Sequence, residues 1–212
     1  MPPVIAWHDT PSTRLAALAL VESLNAELLA APSATLVLEH WCAAHGLAKP
    51  ARVLAVPLTS QPDDADAAIR HDLEVKPRDL VIHRRVALRC GERLLSVADN
   101  WYVPARLSQA MNEQLEHSQA PFGKVVLPLH PYRRTLSARL RWSPLPEGWE
   151  LAPHRQGADA PAGAAAPAAR LEVPQELFEH RALMSGVDHR PIAELRETYQ
   201  RALLDFPEPA LR

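Results

Sequence analysis

Only two cysteines, Cys42 and Cys90, occur among 212 residues. That is too few for a disulfide scaffold, so the pair either bridges in an oxidising compartment or sits as two small buried hydrophobes. Glycine is scarce too, at seven, and no Gly-x-Ser-x-Gly elbow, P-loop or dinucleotide fingerprint is present. No apolar run reaches the length of a membrane span. Charge excess is also missing: the formal net charge is −2, whereas nucleic acid as a bulk electrostatic partner demands a basic surface. Leu15 to Val21 is apolar, yet His8 and Asp9 precede it where a signal peptide carries Lys or Arg, and Glu22, Asn25 and Glu27 interrupt the residues beyond it. The segment reads as a helix, and a cytoplasmic location is the expectation. One more absence is local. No acidic residue lies between Glu116 and Glu147, a stretch that contains Lys124, Arg133, Arg134, Arg139 and Arg141. A second basic run holds Arg78, Arg84, Arg85, Arg89 and Arg93. Arginines of this kind are ordinarily solvated strand faces. The sharper reading is an anion-binding cavity.

What is present fits one globular domain over residues 1–212, with 47% apolar and 23% charged residues. Residues 1–50 form a helical part. Thr10, Pro11 and Ser12 start a helix whose stripe includes Leu15, Leu18, Val21, Leu24 and Leu28. Pro32 ends it, and a second helix runs from Ser33 or Thr35 to Gly46. A short strand is expected over 52–56 and a short exposed helix or turn over 61–72. Residues 79–90 and 93–103 read as a hairpin around Gly91-Glu92. A helix follows over 107–117, then a strand over 133–142 with Leu136, Ala138, Leu140 and Trp142 on one face. The Ala/Pro-rich stretch 156–169 lacks large apolar groups and reads as a flexible loop. Residues 171–184 and 191–204 suggest a last hairpin, although Ile192, Leu195, Tyr199, Ala202 and Leu203 suit a helix equally. Glu39, Cys42 and His45 share a helical face at three-residue intervals, but they match no zinc motif, and no metal is expected. Trp41, Trp101, Trp142 and Trp149 read as core or cavity wall.

Several segments together carry a family likeness. The run His83-Arg84-Arg85-Val86-Ala87-Leu88-Arg89-Cys90-Gly91, followed by Ala98-Asp99-Asn100-Trp101-Tyr102-Val103-Pro104, resembles the central hairpin of chorismate–pyruvate lyase. Ala120-Pro121-Phe122-Gly123-Lys124 is similar to that family's Pro-Leu-Gly-Arg segment, and Pro191-Ile192 with Glu197-Thr198-Tyr199 resembles its last core strand. The likeness spans residues 78–204 in the family's order. It implies a single α+β domain: a mostly antiparallel sheet of about six strands, with helices packed on one side. The same fold resembles the effector-binding domains of certain bacterial transcription regulators, so it does not itself imply catalysis. No helix-turn-helix segment is recognisable in this chain.

By this resemblance Arg85 anchors a carboxylate, Phe122 encloses a ring, and Glu197 serves a ring hydroxyl or a proton. Glu194 competes with Glu197, because a one-residue slip in a strand swaps faces. Asn100, flanked by Asp99, stands where the family carries an arginine, which weakens the site for a dianion unless Arg133 or Arg134 compensates. Two functions are implied. One is a cofactor-independent lyase eliminating pyruvate from chorismate or a related enol-pyruvyl acid, by positioning and charge stabilisation. The other is a non-catalytic binder of a small aromatic acid. Two separate cationic clusters in a buried pocket mark the lyase; one cation, with Asp99 or Asn100 facing the ligand, marks the binder or a different substrate.

Overall fold

The computed structural model describes residues 7–59, 65–151 and 169–209. Of the Ala/Pro-rich stretch, residues 156–168 lie outside those bounds, as do 61–64 of the segment expected to form a short helix or turn. Two long helices open the chain: α1, Pro11–Ala30, and α2, Ala34–Ala44. Strand β1, Val53–Pro57, and helix α3, Ala67–Asp72, follow. Then come β2, Ile82–Cys90, and β3, Arg93–Tyr102. Helices α4, Gln109–His117, and α5, Phe122–Val125, lead to β4, Tyr132–Leu140. The closing hairpin is β5, Glu176–Ser185, and β6, Pro191–Gln200. The six strands form one wholly antiparallel sheet in the order β1-β2-β3-β6-β5-β4.

Local chemistry sets most of the helix starts. Thr10, Asp66 and Ser108 each accept a hydrogen bond from a backbone amide three residues on, capping α1, α3 and α4. Ser33, at the start of α2, makes no such bond. Gly91 turns β2 into β3 at φ +56, and a Cβ there would come within 2.9 Å of the Ala48 Cβ, so left-handed backbone and close approach both require glycine. The ambiguous segment 191–204 is a strand as far as Gln200, then one 3₁₀ turn. Pairing decides it: β6 lies between β3 and β5, so both of its edges are hydrogen-bonded.

Alternation gives the sheet two faces. Val86, Leu88, Ala98, Phe178 and Tyr199 join residues of α1 and α2 in the main core. Tyr102, Met184, Ala193 and Leu195 continue that face under α4 and α5. On the reverse face, Trp101, Val103 and Leu183 pack against Ile69 of α3 and Leu73 just after it, so α3 lies on the side opposite α1 and α2. The expected one-sided alternation of β4 fails. A bulge between Thr135 and Ser137 breaks it, Leu136 packs with the reverse-face group, and Leu140 is exposed at this open edge. Trp41 and Trp101 are core, while Trp149 is exposed. No helix among the described residues is long and apolar enough to cross a membrane.

Cys42 and Cys90, both fully buried, are joined by a disulfide. The bridge ties the last turn of α2 to the end of β2 across 48 residues of sequence. Closing a loop of that size restricts the unfolded chain by about 4 kcal/mol in the chain-entropy picture. Mild reductant is therefore expected to lower the urea midpoint of the wild type by an amount equivalent to about 3–4 kcal/mol. A Cys42→Ala/Cys90→Ala variant is expected to be insensitive to reductant; equal midpoints for wild type with and without reductant would show that the bridge does not form.

Candidate functional site

The polar groups of the cavity face converge where the start of α2 meets α5. Here Ser33, Thr35, Asn100, Phe122, Arg133 and Glu197 line an enclosed cavity of about 20 Å³. That is room for about one water molecule. Each wall residue arrives by sheet register. Glu197 on β6 lies opposite Ala98 on β3 and His180 on β5, and Asn100 lies opposite Leu195 and Arg84. Arg133 enters from β4, where it is paired with Met184. α5 supplies Phe122, held down by the ion pair of Lys124 Nζ with Glu39 Oε1 on α2 at 2.7 Å. Glu39 Oε1 also accepts the Val53 amide at 2.8 Å. Glu39 and Cys42 are thus committed elsewhere, and no group of three potential metal ligands exists among the described residues.

Arg133 and Glu197 form the floor. Arg133 Nη2 donates to Glu197 Oε2 at 2.9 Å, with side chains only 3% and 6% exposed. Arg133 Nη1 donates to the Leu28 carbonyl at 3.1 Å, and its Nε is buried without a partner. Tyr199 donates its hydroxyl to the same Glu197 oxygen at 3.1 Å. Burial, with the Glu197 charge beside it, pushes that phenol well above its ordinary range, so it stays a neutral donor. Glu197 Oε1 has no hydrogen bond among the described residues, and neither has the Asn100 amide. Breaking a buried pair from one side leaves the partner charge uncompensated, which costs about 3–5 kcal/mol.

The start of α2 completes the wall. Ser33 is 3% exposed, its hydroxyl is buried without a partner, and it does not cap its helix. The first amides of α2 are therefore left uncapped beside the cavity, at the end of the helix that attracts anions. Gly123 makes this closeness possible, since a Cβ there would lie 3.1 Å from Ser33 Oγ.

Of the residues singled out from sequence, Asn100, Phe122 and Glu197 meet at the cavity, and Arg85 does not join them. Arg85 and Asp99 are cross-strand neighbours on the reverse face, where Arg85 Nη1 pairs with Asp99 Oδ2 at 3.1 Å and His83 Nε2 lies 2.8 Å from Asp99 Oδ1. Glu194 is also on the reverse face, fully buried and paired with Arg181 at 2.5 Å. The cavity's cation is instead Arg133, which the sequence offered only as one member of the acid-free stretch and, with Arg134, as a substitute for the arginine missing at Asn100. Ser33 carried no signal for the site. His180 Nε2 contacts Asn25 Oδ1 at 2.7 Å, which sets the neutral tautomer as Nε2–H, and Nδ1 is buried without a partner.

No family model matches the chain. Uncharacterized protein y4mC of Sinorhizobium fredii (strain NBRC 101917 / NGR234) is 43% identical over 206 residues, which is 97% of this chain and 84% of that one. Among solved structures, PhnF from Mycobacterium smegmatis superposes with a TM-score of 0.49 at 15% identity, over 86% of this chain and 70% of that one. Its effector domain gives 0.47 at 14%, over 80% and 89% respectively. Likeness this distant carries no argument about ligand or activity.

Desolvation, followed by the nearby Arg133 charge, pulls the His180 imidazole from 6.5 down to about 4. The unfolded chain then takes up its proton first on acidification, so this group's contribution to stability falls as pH drops from about 6.5 to about 4. Thermal melts across that window should show His180→Gln declining less steeply than wild type. Parallel curves would mean that His180 titrates normally in the fold.

Proposed function

The chain belongs to the same family as protein y4mC of Sinorhizobium fredii, and we propose that it is a binding protein for a small hydroxylated aromatic carboxylate, taken into the cavity and released unchanged. One observation carries the reading. The cavity presents a single arginine, already neutralised by Glu197, and faces it with the uncharged Asn100. A lyase for an enol-pyruvyl dianion needs cationic groups at both carboxylates, and this cavity supplies one. A monocarboxylate asks for less. The uncapped amides of α2, Ser33 Oγ and Arg133 Nε suit its carboxylate, because each is a donor without an acceptor. Glu197 Oε1 and the Asn100 amide suit a ring hydroxyl, and Phe122 suits the ring face. No step here calls for a metal or organic cofactor. Admission of an aromatic ring into about 20 Å³ requires Phe122 and the start of α2 to part, so binding is coupled to opening. The buried bridge favours work in an oxidising compartment over the cytoplasm, where thiols are kept reduced.

Calorimetric titration with 4-hydroxybenzoate is expected to give saturable heat. Ser33→Ala should weaken it by about ten- to a hundredfold, the value of one hydrogen bond to a charged group. Arg85→Ala should leave it unchanged, as that side chain lies on the reverse face. Incubation with chorismate should release no pyruvate; pyruvate that appears with wild type and vanishes with Glu197→Gln would restore the lyase. Absence of heat with 4-hydroxybenzoate would remove the binding reading.

A further inference from the structure

Tyr102 and Phe122, with ring centres 5.6 Å apart, form a wall. Phe122 lines the closed cavity on one side of it. Tyr102 lines a second, open pocket of about 420 Å³ between α4 and the adjoining ends of β2 and β3. That volume lies within the range of small-molecule sites, about 300–1,000 Å³. Pro57, Leu80, Ile82 and Leu115 form its apolar side.

The polar side is unfinished. Arg84 donates through Nη2 to the carbonyls of Ser118 and Ala120, at the long distances of 3.5 and 3.4 Å. Its Nη1 is buried with no partner, and no carboxylate pairs with it among the described residues. Arg133 and Arg181, by contrast, each hold a buried glutamate. Asn112, on α4, spends its amide hydrogens on the carbonyls of Pro104 and Ser108 and leaves Oδ1 buried without a donor. The Tyr102 hydroxyl has no hydrogen bond among the described residues. Burial depresses the Arg84 guanidinium from its ordinary value and raises the Tyr102 phenol. A half-buried cation without an anion is costly, and an incoming carboxylate relieves that cost.

We infer that this open pocket binds a monocarboxylic acid with an apolar body, its carboxylate paired with Arg84 and Tyr102 and its body laid against Ile82 and Leu115. A monoanion fits better than a dianion because Glu116 stands at the rim and repels a second negative charge. The guanidinium fork suits a carboxylate bidentately. Two body types share this chemistry, an alkyl chain and an aryl ring on a short chain. This site is separate from the closed cavity, and neither reading depends on the other.

The full-length protein is titrated with octanoate, 4-phenylbutyrate and octan-1-ol. At least one of the two acids should bind saturably, and the preferred one tells whether the body is alkyl or aryl. Arg84→Met should weaken that acid by tenfold or more, the size of a charge-assisted bond, with no change for octan-1-ol. Tyr102→Phe should weaken it several-fold, and Ser33→Ala should leave it unchanged. Failure of both acids to saturate wild type, or undiminished binding by folded Arg84→Met, overturns the inference. If Arg84→Met does not fold, amide shifts in the wild type decide. Shifts centred on Ile82, Asn112 and Leu115 support the site, and shifts centred on Ser33 and Glu197 overturn it. Loss of 4-hydroxybenzoate binding alone would bear only on the closed cavity.

Discussion

In an antiparallel sheet each residue is committed to one of two faces, and β6 has the least freedom because β3 and β5 hold both of its edges. Its register sends Leu195, Glu197 and Tyr199 to the cavity face, and Glu194 and Arg196 to the other. The neighbouring strands inherit the same assignment: Asn100 and Arg84 stand in the Leu195 row, while Asp99 and Arg85 stand in the Arg196 row. A shift of one residue would exchange the two sets. The location of every ionisable group in the middle of the molecule depends on that alternation.

The two faces treat charge differently. On the reverse face, charges are balanced by neighbours: Arg85 with Asp99, Arg181 with Glu194, and Arg196 stacked over the Trp101 ring at 5.2 Å. Such a surface is largely satisfied as it stands, except at Glu194 Oε2, which is buried without a partner. The cavity face keeps unspent donors, at Ser33, at Arg133 Nε and at Arg84 Nη1. Buried polar atoms of this sort are uncommon in folded proteins and call for an explanation. Here they fall on the walls of two neighbouring cavities, where a ligand would meet donors that the chain leaves open.

Much of the fold was legible because its signals are local. The Gly91 turn, the helix start at Thr10, and Pro32 after α1 each act within a few residues. The cavity was legible only in part. Asn100, Phe122 and Glu197 were found through family likeness, but Arg84 and Arg85 are adjacent and chemically identical, so only register separates them. Arg133 reaches Glu197 across β5, a relation between residues 64 apart in sequence. Ser33 looked like an ordinary cap, and its lack of a capping bond exists only in three dimensions. The β4 bulge was hidden for a similar reason: alternating letters say nothing about an inserted residue.

The bridge between Cys42 and Cys90 also has a mechanical meaning. It pins α2 near its C-terminal end, while the uncapped start of the helix forms the cavity wall. At 1.5 Å per residue, Ser33 stands about 13 Å from that pin. The helix is then a lever with a covalent fulcrum. A tilt of roughly 10° about Cys42 would carry Ser33 about 2 Å, with the largest displacement at the cavity and the smallest in the core.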